Sequence, residues 1–500
     1  MHRLVALGWI ALLALSLWLR LHELESNPIH ADEATGARIL AQHLEGDGYR
    51  FNPKHFHGPM LTWLSATIAE VRQESDWRTL SLSTLRLGPA LAGTLVVLTP
   101  LLWRRPLGSL GALTAAAFLA TSPLLVYYNR IFIHESWLLL FGMLALAAVF
   151  RFLTRPSLRN GALTGCLLGL MFATKETVCI SVIAWTIAAG LYRLIFRNQN
   201  FPKKEAYVKP LLLLATTALI VSAVCYTNFL QTTGGLIDAL KTFFVYETTP
   251  GHEKPWHYYL NLLLYPKNTL GIWWSEGCLA LFAMLALALA FLHHRNFACL
   301  IFLALAVIGQ LFIYSCIDYK TPWLMLLPWA HLCLLVGGIV QASQKTTSAF
   351  RAILALLLLL GLGYQTKQSL HATGSFANDQ RNPYAYVPTT RDPQRIAEWL
   401  HKIQALPNAP SIEPLAVIGQ AYWPLPWYLR PFDTVGYWRE PLPQHSNFPV
   451  VFSMPQQSEK CDAILEGSHI KLPRSLRSDL TIALYLRRDL WQIWMDTPEP

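Results

Sequence analysis

Charged residues are scarce in this chain. Asp, Glu, Lys and Arg make up 14% of its 500 residues, whereas soluble domains carry about 25%. Hydrophobic residues make up 53%, and Leu-rich runs approach the ~20 residues that a helix needs to cross a bilayer. The composition therefore indicates a multi-pass membrane protein. It excludes a cytosolic enzyme, a secreted disulfide scaffold and a disordered tail protein.

The motifs of soluble nucleotide-binding sites are also missing. The sequence has no Walker loop, no GxGxxG and no GxSxG, so soluble nucleotide binding is not supported. Its 8 cysteines lie mostly in or near apolar runs. They show neither a metal-binding spacing nor a disulfide framework.

The apolar runs predict about eleven membrane-spanning helices, because backbone polar groups within lipid must be satisfied inside each segment. The first run has the length of a signal peptide, but no small-residue cleavage site follows it, so we expect a retained anchor. The predicted segments are 4–21, 85–103, 108–127, 135–153, 160–174, 177–196, 210–228, 271–292, 297–316, 322–341 and 351–366.

The net charge of +10 is distributed unevenly along these segments. With the N-terminus in the cytoplasm, the loops on that side are rich in Arg and Lys, and Glu205 is their only acid. This asymmetry follows the positive-inside rule, so the excess charge indicates orientation in a membrane rather than a nucleic-acid partner. An odd number of spans then places the C-terminal tail outside.

Three regions face outward in this arrangement: the loop 22–84, the loop 228–270 and the tail. We expect a transmembrane domain over 1–369 and an extracytoplasmic α/β domain over 370–500. In the tail, Asp392 and Pro393 are typical of a helix start, and alternating patterns near 448–453 and 480–486 indicate strands.

The first outer loop carries an acidic pair, Asp32 and Glu33, just after the first span. A short interfacial helix is expected over 33–44. A second is expected after Pro59, with an apolar stripe that runs from Leu61 to Val71. Paired carboxylates at this position suit general-base chemistry. The alternative is that both acids only cap the following helix, whose N-terminus favours negative charge.

Other outward clusters carry ionisable residues, and each has a structural alternative. Arg130 and Lys320 are candidates for binding a phosphate, or are anchors that reach the headgroup region. The turn with Lys175 and Glu176 is a candidate site, or a local ion pair that closes a hairpin. The aromatic loop around His257 could hold a sugar or a headgroup, or belong to an interfacial aromatic belt.

All these clusters lie at the outer ends of spans. A transporter should place ionisable residues near the middle of the membrane, on broken helices. A lipid-linked substrate instead needs an acid for the acceptor and cations for the phosphate, both at the level of the headgroups.

Together, five segments resemble the type-C (GT-C) membrane glycosyltransferases, which include protein O-mannosyltransferases and lipid A aminoarabinose transferases. The likeness is closest to a prokaryotic family described as flippase-activity-associated. The segments are His30–Ala34, Phe56–Pro59, Thr174–Thr177, Tyr319–Trp323 and Tyr422–Arg430.

The resemblance implies a polyprenyl-phosphate sugar as donor and an inverting transfer to an acceptor hydroxyl of a glycan, a lipid or a protein. Asp32 would be the catalytic base, and Glu33 would assist it or support a metal. It further implies a prokaryotic plasma (inner) membrane. The alternatives are a non-enzymatic flippase, or flippase accessory, for lipid-linked glycans, and an assembly protein that uses the tail.

The predicted substrate-binding residues are His57, Arg130, Lys175, Glu176, His257 and Lys320. A divalent metal is an additional candidate cofactor, because members of the superfamily differ in their metal dependence. Its candidate ligands are His30, His57, Glu135 and Glu176.

Overall fold

The computed structural model describes residues 2–54, 56–198, 201–245, 251–293, 297–407 and 409–497. Tyr246 and Glu247, in the predicted outer loop 228–270, lie outside these residues.

The N-terminal three quarters of the chain is helical, with one short hairpin. The hairpin strands are β1 (Lys267–Thr269) and β2 (Ile272–Trp274), which pair antiparallel. The helices are α1 (His2–Leu21), α2 (Ala31–Gln42), α3 (Met60–Val71), α4 (Leu82–Val96), α5 (Arg104–Thr121), α6 (Pro123–Tyr128), α7 (Glu135–Thr154), α8 (Leu158–Phe172), α9 (Val178–Ile195), α10 (Glu205–Tyr226), α11 (Gly235–Val245), α12 (Tyr258–Leu263), α13 (Gly277–His293), α14 (Phe297–Cys316), α15 (Leu326–Ala342) and α16 (Ser348–Thr373).

Within the described residues, eight helical stretches are long and apolar enough to cross a membrane. One of them, Leu82–Thr121, contains the predicted segment 85–103 and most of the segment 108–127. The helices α8 and α13 cover two more, but they are 15 and 17 residues long. The predicted class, a polytopic helical membrane protein, is confirmed, whereas the number of eleven spans stays a prediction.

Close packing of small residues holds the helical part together. A Cβ atom added to Gly111 of α5 would lie 2.4 Å from the backbone oxygen of Gly337 in α15. A Cβ atom added to Gly165 of α8 would lie 2.2 Å from the backbone oxygen of Leu214 in α10. In both pairs the helix backbones are therefore in direct contact, which small residues at the interface permit in membrane proteins.

The predicted first outer loop, residues 22–84, contains two short helices, whose position at the membrane interface stays a prediction. The helix α2 begins at Ala31 and continues into a π-helical turn over His43–Asp47, and α3 follows Pro59. The expected apolar stripe of α3 is only partly correct, because Leu61 is 2% exposed whereas Val71 is 80% exposed. Instead, the buried side of α3 includes small residues such as Ser65 and Ala66.

The described part of the tail contains a five-stranded sheet with the order β4-β3-β5-β7-β6. The strand β3 pairs parallel with β4 and β5, and β7 pairs antiparallel with β5 and β6. The predicted α/β architecture is confirmed. Its elements are α17 (Asp392–Gln404), β3 (Leu415–Ile418), α18 (Leu425–Leu429), β4 (Val435–Trp438), β5 (Val450–Ser453), α19 (Ser458–Leu465), β6 (His469–Arg477), β7 (Leu480–Arg487) and α20 (Arg488–Asp496).

The sheet domain packs against the first outer loop. Trp427 of α18 shares a hydrophobic cluster with residues of α2 and α3, and its ring lies 5.5 Å from the ring of Trp77. The Arg430 guanidinium lies 3.5 Å from the centre of the Trp427 ring, a cation–π contact. In addition, the Tyr428 hydroxyl accepts a hydrogen bond from the Ile29 backbone N–H at 3.1 Å. The tail therefore covers the start of α2, where the acidic pair lies.

Candidate active site at the start of the first outer helix

The N-terminus of α2 orients the acidic pair. His30 is the capping residue, and its Nδ1 accepts a hydrogen bond from the Asp32 backbone N–H at 3.1 Å. The Glu33 carboxylate completes a capping box, because it accepts a hydrogen bond from the His30 backbone N–H at 2.8 Å. This reciprocal cap fixes the first turn, and the helix dipole favours both carboxylates there.

The two carboxylates have opposite environments, and Glu33 is the buried one. Its side chain is 1% exposed and forms a two-point ion pair with Arg86 of α4, at 2.7 and 2.8 Å. The Phe132 backbone N–H also donates to it at 2.8 Å. Burial alone would raise the pKa of Glu33, but the Arg86 charge and these hydrogen bonds lower it, so the carboxylate is ionised. Glu33 therefore anchors α2 to α4 and to the segment before α7.

Asp32 points away from this anchor. Its side chain is 56% exposed, and its Oδ2 lies 3.9 Å from Nδ1 of His30. On the other side of the His30 ring, Nε2 lies 3.1 Å from the backbone oxygen of Tyr386. The carboxylate is thus accessible, but its position is fixed by the helix start and by a ring that is itself held.

His252 and Tyr386 complete the surroundings of Asp32. Nδ1 of His252 lies 2.7 Å from the Tyr386 hydroxyl. Burial lowers the pKa of His252, and the Asp32 charge opposes that shift. Burial also raises the pKa of Tyr386 to about 12, assisted by Tyr319 and Asp32. At neutral pH this pair is a protonated phenol beside a mostly neutral imidazole.

A second cluster brings together His57, Glu135, Lys175 and Glu176. The Glu176 carboxylate lies 3.0 Å from Nδ1 of His57, and the Lys175 ammonium lies 2.5 Å from Glu135. Burial would raise the pKa of Glu176, but His57 and Lys175 lower it to about 2. The His134 ring packs edge-on against His57 at 5.1 Å, and burial lowers the pKa of His134 well below its usual value.

The segment between α6 and α7 connects the two clusters. Phe132 donates its backbone N–H to Glu33, and Glu135, three residues later, binds Lys175. Both clusters therefore share the short segment between α6 and α7.

Two other predicted cations have protein partners. The Arg130 guanidinium donates to the backbone oxygens of Leu19 and Glu23, at 3.0 and 3.1 Å. Lys320 is 1% exposed, and its ammonium donates hydrogen bonds to the backbone oxygens of Lys254 and Ile317. His257 begins α12 and lies beside the Trp256 ring; among the described contacts, none joins it to Asp32.

The predicted metal ligands do not form one group. Within the described residues, no three His, Cys, Asp or Glu side chains are arranged so that they could hold a metal ion. His30 belongs to the Asp32 cluster, whereas His57, Glu135 and Glu176 belong to the second one and have partners there. The geometry therefore offers no ready-made ligand set for a divalent cation among these residues.

Sequence reasoning missed Arg86 and Tyr386, and from the aromatic loop that contains His252 it selected His257. Arg86 lies inside an apolar run, and an ionisable residue within a predicted span was the available signal. His252 lies five residues before His257 in the aromatic loop. Tyr386 follows the last apolar helix, and nothing in its local sequence distinguishes it from a loop aromatic.

Comparisons with known proteins agree with this architecture. The family model described as dolichyl-phosphate-mannose-protein mannosyltransferase matches residues 56–227. A search of curated protein sequences gives no significant match.

Solved structures give the fold. The crystal structure of ArnT from Cupriavidus metallidurans in the apo state is similar over 99% of this chain and 100% of that chain, with 15% identity and a TM-score of 0.64. The same protein bound to undecaprenyl phosphate matches 95% of this chain and 98% of that chain, with 15% identity and a TM-score of 0.63. The oligosaccharyltransferase from Archaeoglobus fulgidus in the apo form matches 85% of this chain and 63% of that chain, with 14% identity and a TM-score of 0.54.

The predicted GT-C-like architecture is thereby confirmed, while the closer likeness to the flippase-activity-associated family stays a prediction. The chain has the GT-C fold, and residues 56–227 also match the mannosyltransferase family model.

Proposed function

We propose that this protein is a membrane glycosyltransferase, which moves a sugar from a polyprenyl-phosphate donor to an acceptor hydroxyl on the outer face of the membrane. The observation that carries this proposal is the environment of Asp32: an accessible carboxylate at a capped helix start, beside His30, His252 and Tyr386. Two similar structures hold polyprenyl phosphates, namely ArnT with undecaprenyl phosphate and an archaeal oligosaccharyltransferase with dolichol phosphate.

Asp32 is the base in this proposal. The acceptor oxygen attacks the anomeric carbon of the donor, and the bond from that carbon to the phosphate oxygen breaks. The proton of the acceptor hydroxyl passes to the Asp32 carboxylate, and the phosphate leaves on its polyprenyl chain. A positioned base of this kind contributes about a hundredfold to ten-thousandfold in rate.

In the same proposal, Glu33 takes no part in proton transfer and instead holds Asp32 in place. Its carboxylate is saturated by Arg86 and by two backbone N–H groups, so it holds the helix start at which Asp32 is presented. We therefore assign Glu33 as a positioning residue and not as a second base.

His252 and Tyr386 are proposed to stabilise the departing phosphate. We propose the tautomer of the neutral imidazole in which the phenol of Tyr386 donates to Nδ1 of His252 and Nε2 carries the proton. That N–H then donates a hydrogen bond to the phosphate beside Asp32. A preorganised donor in an active site stabilises developing negative charge more strongly than water does. Five of the six predicted substrate-binding residues have protein partners and would shape the site indirectly, namely His57, Arg130, Lys175, Glu176 and Lys320.

The topology is proposed to follow the charge distribution. The N-terminus lies in the cytoplasm of a prokaryote, and residues 370–500 form an extracytoplasmic domain beside the active site. Because α18 packs on the first outer loop, this domain is well placed to select the acceptor.

The test is sugar transfer by purified protein, with a panel of short-chain polyprenyl-phosphate sugars. Released polyprenyl phosphate is measured for wild type, Asp32→Asn and a matched control, Asp238→Asn. Asp238 lies in another outer segment, where it pairs with Lys241. We expect a loss of at least about a hundredfold in Asp32→Asn and little change in the control.

Equal release by wild type and Asp32→Asn would remove Asp32 from the mechanism. No release from any donor by folded protein would contradict the transferase proposal and favour the non-enzymatic alternative, a flippase or its accessory.

A further inference from the structure

An open groove lies on the outer surface between α12 and the β1–β2 hairpin. Its volume is about 460 Å³, and it is lined by Pro255, Tyr258, Asn261, Tyr265 and Lys267. The groove combines two phenols, a side-chain amide and a cation, whereas none of its lining residues is acidic.

Lys267 is the only cation among these lining residues. Burial lowers the pKa of its ammonium, because the charge is partly removed from water. None of the ion pairs found in the described part of the chain includes Lys267, in contrast to Lys175 and Lys241. A partly buried ammonium without a counter-charge favours the arrival of an anion.

The groove opens next to apolar surface. Trp256, Tyr265 and Trp273 are 66%, 65% and 56% exposed, and Leu281 of the neighbouring helix α13 is 63% exposed. Exposed aromatic rings beside an apolar helix are typical of the membrane–water interface. An anion that reaches Lys267 can therefore belong to a molecule whose apolar part lies in the membrane.

The groove is separate from Asp32 but close to its surroundings. Tyr258 lines the groove, and besides burial, the phenol of Tyr386 contributes to the raised pKa of Tyr258. Tyr386 in turn binds His252. Tyr258 therefore lies near a member of the Asp32 cluster.

We propose that this groove binds the phosphate group of a membrane lipid, with Lys267 as the cation and with Tyr258, Tyr265 and Asn261 as hydrogen-bond donors. A lysine ammonium is a compact charge that suits a phosphate oxygen, and hydrogen bonds between charged partners are the strong ones. The site is additional to the Asp32 centre, and its ligand binding does not require catalysis.

The proposal is tested by ligand binding to the full-length protein in detergent. The probes are farnesyl phosphate, farnesol and dioctanoyl phosphatidylglycerol. The variants are Lys267→Ala, Lys267→Arg and a matched control, Lys241→Ala, which removes the same charge from another outer helix.

We expect Lys267→Ala to bind farnesyl phosphate about tenfold more weakly or worse, the scale of a lost charged hydrogen bond. Lys267→Arg should retain most of the affinity for farnesyl phosphate, and Lys241→Ala should bind it as wild type does. Farnesol, which lacks the phosphate, should bind wild type as weakly as farnesyl phosphate binds Lys267→Ala. Dependence on Lys267 for farnesyl phosphate alone identifies a polyprenyl-phosphate site. The same dependence for phosphatidylglycerol as well identifies a site for phosphate headgroups in general.

Two results would overturn the proposal: unchanged affinity for farnesyl phosphate in folded Lys267→Ala, or equal affinity of wild type for farnesyl phosphate and farnesol. If Lys267→Ala does not fold, competition in wild type decides. Inorganic phosphate must then displace farnesyl phosphate better than chloride does at equal ionic strength, and equal displacement refutes the site. Farnesyl phosphate binding that depends on Lys267 is measured without any sugar transfer, so failure of this proposal and failure of the transferase proposal are distinguishable.

Discussion

The substitution Glu33→Gln removes the charge of a carboxylate that is buried beside the Arg86 guanidinium. The two side chains are 1% and 4% exposed, so water cannot replace the lost charge. Gln keeps the size of the side chain, but it cannot accept the four hydrogen bonds that Glu33 receives from Arg86, His30 and Phe132. The perturbation is therefore an unpaired buried cation at the junction of α2 and α4.

The expected cost is large. Removing one partner of a buried ion pair typically lowers the free energy of unfolding by about 3–5 kcal/mol, because the other charge stays buried without compensation. Asp32→Asn should cost less than about 1 kcal/mol, since the Asp32 side chain is 56% exposed and surface substitutions are usually mild. Adjacent acids thus give opposite results: Glu33→Gln loses stability, and Asp32→Asn loses activity.

The assay is unfolding of the purified protein in detergent, followed by tryptophan fluorescence, alongside the transfer assay. The double variant Glu33→Gln/Arg86→Gln serves as the control, because it removes both charges. It should be more stable than the sum of the two single effects predicts, with a coupling of several kcal/mol in the thermodynamic cycle. A stable Glu33→Gln protein with activity as low as Asp32→Asn would refute the reasoning and make Glu33 a direct participant in the chemistry.

Two further predictions concern the surroundings of these acids. The lowered pKa of Glu176, about 2 against an ordinary 4.5, means that its ionised form stabilises the fold above pH 4.5 and loses that contribution as the pH falls towards 2. Glu176→Gln should therefore lower the free energy of unfolding by about 3 kcal/mol at pH 7. The difference from wild type should shrink below pH 4.5 in unfolding curves measured from pH 7 to pH 2, and a difference that is constant over this range would contradict the role of the charge. His252→Gln and Tyr386→Phe should each lower the maximal transfer rate about tenfold to a hundredfold, and the double variant should lose little more, because the two residues act as one pair. Additive losses in single-turnover rates would count against the pair.

The features that the sequence predicted well are those that depend on local pattern. Apolar runs of spanning length and the start of α17 at Asp392 need no information about distant partners. The start of α2 was predicted two residues late, at Glu33 instead of Ala31, because an acid pair before a helical pattern is a local signal but does not show which residue caps the helix. The end of α4 at Val96, inside the predicted segment 85–103, was less predictable, because it depends on packing against neighbouring helices.

The partners of charged residues could not be predicted in the same way. Glu33 was expected to work beside Asp32, yet its carboxylate faces Arg86, 53 residues away. Tyr386 meets His252 across 134 residues. Such pairs form through tertiary packing, so a sequence pattern can show that a charge is costly to bury but cannot show which group compensates it.

Two buried cations, Lys320 and Arg130, show that the tertiary partners of a charge decide whether it can bind a substrate. Lys320 follows the end of α14 by four residues and donates to the Ile317 backbone oxygen, where a cation suits the negative end of the helix dipole. Arg130 satisfies the backbone oxygens of Leu19 and Glu23, just at and beyond the end of α1. Cations that complete helix ends are not free to meet a phosphate without breaking those bonds. Recognition of a lipid phosphate is therefore better assigned to groups that keep an open side, which are the His252–Tyr386 pair beside Asp32 and Lys267 in the groove.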